Sequence, residues 1–160
     1  MIRRWIDAVR RNHALEHATV AVLLARHGPS RLAGRASGNG FFILGDFDAA
    51  ELASCADEAL QRLQRGETSL AVSPLCGTNI AVSGLLAATA AVGVLAAGNG
   101  KGRFANAFTA AMLGVVAAQP LGRLVQRHIT TRPDLEDIEI IGTRAIVGSL
   151  KKVYTRPAAL

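Results

Sequence analysis

Three side chains in a single helical turn, His13, Glu16 and His17, form the string His-x-x-Glu-His inside "RNHALEHATVAVLLARHG", residues 11–28. Histidines four apart on a helix stack one turn above each other, so both can hold one metal ion from the same face. The string is the inverted zincin pattern, in which the histidines bind zinc and the glutamate activates water. Zinc supplies that chemistry by lowering the pKa of its bound water to about 7.

A catalytic zinc needs a third protein ligand and an open position. Inverted zincins of the pitrilysin type take the ligand from a glutamate on a later helix. Glu58 in "CADEALQRLQ" is the best placed candidate, with Glu51 behind it. Cys76 in "SPLCGTN" offers another, and His13, His17 and Cys76 would make a chemically reasonable zinc set. The chain is far smaller than those enzymes and shares nothing else with them. The opposing expectation is structural. His13 and His17 fall on a stripe with Ile6, Val9, Val20 and Leu24, and a buried histidine needs only a hydrogen-bond partner. Glu16 is then either a general base, an outer partner of the metal ligands, or the mate of a nearby arginine.

The elements that must position these groups are legible from patterning. Residues 5–27 have helical spacing, closed by Gly28 and Pro29. "SGNG" at 37–40 is a turn between two short strands. Asp48 and Glu51 make a capping-box arrangement ahead of a helix that buries Leu52, Ala56, Ala59, Leu60 and Leu63. "TSLAVS" reads as a further strand, so residues 30–73 predict β-β-α-β. "DIEIIG" and the stretch around Arg144–Val147 read as late strands.

Between these parts lie two uncharged runs, Thr68–Gly100 (33 residues) and Phe104–Gly122 (19 residues). A membrane helix needs about 20 mostly apolar residues. Both runs are rich in small residues, which allow close helix packing. The expected architecture is therefore α+β: a soluble β-β-α-β-type domain, residues 1–75 and 127–160, carrying a transmembrane hairpin at 76–126 with spans of about 78–98 and 105–125. The hairpin would enter between the third and last strands. The N-terminus lacks the apolar core of a signal peptide. Arg62, Arg65, Arg123, Arg127 and Arg132 lie on the domain side, against Lys101 and Arg103 in the loop. That bias predicts an inner-membrane protein with its domain in the cytoplasm.

At the span ends, Thr78 and Asn79 are expected to cap the first membrane helix. His128 in "QRHITT" is expected on the same membrane face as Cys76, within reach of the first helix. His27 is expected to cap that helix's C-terminus. Net charge is +6, but the arginines are scattered and aromatics few, so the lipid bilayer is the expected partner and nucleic acid is not. Cys55 and Cys76 fit no disulfide framework. The glycine-rich stretches lack phosphate-loop form, and no serine elbow or kinase signature is present.

"NHALEHATVAVLL", "GFFILGDF", "SPLCGTN" and "QRHITT", in that order around two apolar runs, resemble a bacterial domain-of-unknown-function family. Its members are small membrane proteins of photosynthetic and related bacteria with a His-Ala-Leu-Glu-His-Ala-Thr segment. The resemblance covers roughly residues 10–132. It implies a membrane protein with a small soluble domain and brings no activity. It places His13, Glu16, His17, Cys76, Gly77, Thr78 and Asn79 in one shared pattern. Two functions follow from the residues: a membrane-anchored zinc protein, in its catalytic form a hydrolase, or a membrane adaptor or assembly factor, with a protein partner or a second copy, whose histidine cluster is structural.

Overall fold

In a computed structural model, which describes residues 2–98, 100 and 102–158, the chain divides into two compact units. The first runs to Ser73 and resumes at Arg127; the second is Pro74–Gln126.

The first unit holds α1 (Ile2–His27), β1 (Ala33–Ser37), β2 (Gly40–Leu44), α2 (Ala49–Gln64), a 3₁₀ turn (Thr68–Ala71), a π-helical turn (Gln126–Thr130) shared with the neighbouring unit, β3 (Ile138–Val147) and β4 (Leu150–Pro157). The strands form one antiparallel sheet in the order β1-β2-β4-β3. Period-2 alternation turns Phe41, Ile43 and Val153 inward, where they meet Leu15, Leu23 and Leu52 of the two helices. Each such side chain contributes about 1.5–3 kcal/mol on burial. α2 begins where the capping argument puts it, with the Glu51 amide donating to Asp48 Oδ1 at 2.7 Å. Glu51's own carboxylate meets His27 Nε2 at 2.7 Å instead of completing the box.

Two expectations change here. "TSLAVS" is not a strand: Thr68–Ala71 winds into a 3₁₀ turn, and the place beside β2 belongs to β4. "DIEIIG" and Arg144–Val147 are not separate strands but the two ends of β3, bulged at Ile141 and Ile146. The apolar hairpin therefore enters between the second and third strands.

The second unit consists of α3 (Gly77–Ala97) and α4 (Arg103–Val125). They pack closely, because a Cβ on Gly114 would stand 3.0 Å from the backbone of Leu86 and Ala87. Gly122 fits under Asn79, whose Oδ1 would stand 2.1 Å from a Cβ there. Asn79 accepts from Gln126 Nε2 at 2.8 Å and donates to the Pro74 carbonyl at 3.0 Å, tying the open ends of the pair. Large apolar side chains point outward; Ile80 is 75% and Phe104 80% exposed. Both helices are long and apolar enough to cross a membrane. Lys101, part of the charge-bias argument, lies outside the described residues.

Candidate metal centre

His13 and His17 lie on the middle of α1, where the helix is covered on several sides. Four-residue spacing brings their ring centroids to 4.3 Å, edge to face. Each ring is steered by a backbone carbonyl of the same unit. His13 Nδ1 is 2.9 Å from the Thr130 oxygen, and His17 Nδ1 is 2.8 Å from the Ala71 oxygen. A carbonyl only accepts, so both Nδ1 atoms carry the hydrogen and the lone pair of each neutral ring falls on Nε2. This carbonyl-held tautomer is the one in which metal-binding histidines are usually presented.

The two carbonyls are available for local reasons. Ala71 ends the 3₁₀ turn, and Thr130 ends the π-helical turn, so neither oxygen has a continuing ladder to bond. The second segment is pinned further: Arg10 Nη2 donates to the His128 carbonyl at 2.9 Å, and the Arg132 amide donates to the Arg10 carbonyl at 3.0 Å.

His17 is only 4% exposed. Its Nε2 is buried and has no hydrogen-bond partner among the described residues. A buried acceptor left unmet costs about 1–3 kcal/mol, so the position calls for a metal ion or a donor. A ligand nitrogen of each ring lies within 4.8 Å of the other's. Two nitrogens on one tetrahedral zinc stand about 3.3 Å apart, given Zn–N near 2.0–2.1 Å. Imidazole nitrogens are a donor type that zinc accepts, and the two rings lie near that separation without being at it.

Glu16 is buried on α1, its carboxylate seated over Gly34 of β1. A Cβ on Gly34 would stand 2.1 Å from Glu16 Oε1, so only glycine admits the carboxylate there. Glu58 is ion-paired with Arg26 and lies 3.8 Å from Arg62. Arg26 is nine residues beyond His17, about 14 Å along the helix, and the structure does not bring Glu58 to the histidines. His27 ends α1 beside Glu51. His128 is exposed on the π-helical turn. In the second unit, Cys76 is itself the cap of α3, its Sγ accepting from the Thr78 amide at 3.4 Å. Thr78 and Asn79 lie inside the helix rather than at its cap. Cys55 belongs to the core, and burial pushes its thiol above the usual range.

Sequence reasoning missed the Ala71 and Thr130 carbonyls that orient the rings. Backbone groups leave no mark on residue type, so no signal pointed to them.

A family model described as "Domain of unknown function (DUF6391)" matches residues 8–143. An uncharacterized protein of Picosynechococcus sp. is 38% identical over 134 residues, covering 77% of this chain and 65% of that protein. The chain thus spans just under two thirds of the length of that curated relative. No solved structure matches.

Proposed function

We propose, from the premise that the chain belongs to the DUF6391 family of unknown function, that it is a membrane-anchored metal-binding protein in which His13 and His17 hold zinc through Nε2. One observation carries the reading: the buried Nε2 of His17, without a hydrogen-bond partner among the described residues, in a ring whose tautomer the Ala71 carbonyl fixes. Support for the membrane comes from two helices of sufficient length and apolarity with outward apolar side chains, a surface that water would not favour. The arginines on the domain side favour a cytoplasmic domain at the bacterial inner membrane.

Cys76 is the nominee for third ligand. It follows Ala71 by five residues, a tether of at most about 18 Å, and thiolate with two imidazoles suits zinc. In the hydrolytic form of the proposal, a bound zinc would supply an activated water and Glu16 would take its proton. The seat of Glu16 over Gly34 favours the second reading, an adaptor in which the histidines are structural. In that reading they staple the segments before and after the hairpin, at Ala71 and Thr130, to one turn of α1.

The deciding experiment is metal content of the detergent-purified full chain by mass spectrometry, with His13→Ala/His17→Ala and Cys76→Ser beside it. About one zinc per chain, lost in the double variant, supports the metal reading. No metal in the unaltered chain, with the double variant only less stable, leaves the adaptor.

A further inference from the structure

The first two turns of α1 carry apolar side chains that the unit does not cover. Ile2 is 73%, Trp5 61% and Ile6 44% exposed, while Val9 is half-buried. These residues recur at steps of three and four, so they form one stripe, in line with His13 further along the helix. Trp5 is exposed yet held: a Cβ on Gly38, in the β1–β2 turn, would stand 2.9 Å from the indole Cδ1 and Nε1. Arg3 and Arg4 flank the stripe, exposed, and make no ion pair among the described residues.

The stripe lies close to the place where the chain leaves its second apolar helix. Within the first unit, the segment that follows α4 is bonded to α1 at Arg10 and His13. Arg10 is five residues beyond Trp5, about 8 Å along the helix. The segment at which the first unit resumes after the apolar hairpin is thus bonded to α1 within a turn or two of Trp5. An apolar stripe with tryptophan and flanking arginines is the composition of an interfacial helix, where the indole sits at headgroup level and the guanidinium groups meet lipid phosphates.

We infer that the N-terminal two turns of α1 are an interfacial anchor, with Ile2, Trp5 and Ile6 in the lipid and Arg3 and Arg4 on anionic headgroups. This rests on the membrane reading above and adds a third attachment, one that would fix how the domain stands on the bilayer and favour anionic lipid.

Trp5 is the chain's single tryptophan, so its emission reports on this face alone. The full chain is reconstituted in phosphatidylcholine vesicles with and without phosphatidylglycerol, using acyl chains brominated near the headgroup. The expected result is a blue-shifted emission quenched at least about twofold by bromine, since such helices seat their apolar face about 5–10 Å below the surface. Quenching is expected to be greater with phosphatidylglycerol, and to lose that lipid dependence in Arg3→Glu/Arg4→Glu, which still floats with the vesicles. A chain that floats with the vesicles while Trp5 stays unquenched by bromine and open to acrylamide overturns the inference and leaves the membrane reading standing. Protection of Trp5 that tracks chain density in the vesicle, without bromine quenching, assigns the stripe to a second copy and overturns it too. A chain that does not float overturns both.

Discussion

Glu16 and Gly34 are in such close register that any side chain at 34 would occupy the carboxylate's position, with 2.1 Å between a Cβ and Oε1. A buried acid is thereby packed against the backbone of the first strand. Gly34→Ala is expected to destabilise the chain by about 1–3 kcal/mol, the usual cost of overpacking. Glu16→Ala in the same chain should return part of the loss, because it vacates the contested space. A thermal-unfolding double-mutant cycle in detergent measures the coupling. Strictly additive losses would mean that the two positions do not interact.

Chelation tests the histidine pair independently of activity. If zinc is held at about 100 times its dissociation constant, stripping it removes about 2.7 kcal/mol of stability. The melting temperature should fall on adding a chelator, recover on adding zinc, and be indifferent to both in His13→Ala/His17→Ala. An unaltered chain equally indifferent to chelator contradicts zinc binding.

In the apolar pair, Gly122→Ala should cost more than Asn79→Ala. The first drives a methyl group to 2.1 Å from Asn79 Oδ1, an overpacking cost of about 1–3 kcal/mol. The second removes bonds to Gln126 and Pro74, and if the proposed membrane setting holds, such bonds average about 0.6 kcal/mol each. Unfolding of the two variants in mixed detergent gives the order, and the reverse order would show that the Asn79 network dominates.

The Arg11–Asp137 pair predicts an acid-sensitive contact. Arg11 Nη1 lies 2.7 and 2.9 Å from the two Asp137 oxygens. That hydrogen bonding holds the carboxyl below its usual range. A depressed folded-state pKa means stability that is complete above the ordinary carboxylate value, about 4, and lost as pH falls through the lowered one. The stability gap between the unaltered chain and Asp137→Asn should be constant near neutrality and close in acid. A gap that persists unchanged to pH 3 would exclude the pair as its cause.

Local signals account for what the sequence made legible. α1, the "SGNG" turn, the Asp48 cap and the two apolar helices each depend on residues within a few positions of one another. β4 was missed because Lys151 and Lys152 interrupt its apolar alternation, and their accommodation is tertiary. Lys152 Nζ lies 4.6 Å from the Phe42 ring and 4.7 Å from the Tyr154 ring, with Asn39 Oδ1 at 2.8 Å. Lys151 Nζ donates to the Gly45 carbonyl at 3.0 Å. The histidine pair was readable from spacing alone, yet the bonds that set its tautomer come from Ala71 and Thr130, 54 and 117 residues away. Glu58 illustrates the opposite failure: its type suited a ligand, and an arginine at the far end of α1 claimed it.

The strand order β1-β2-β4-β3 also sets a clock. β4, the strand that pairs with both β2 and β3, is encoded after the entire apolar hairpin. As the ribosome delivers the chain, α1, the first two strands and α2 emerge without the strand that closes their sheet, and they must wait until α3 and α4 have been made. Completion of the domain therefore comes later than the emergence of its apolar insert, and the edge of β2 that β4 will cover stays open for as long as the hairpin takes to be made.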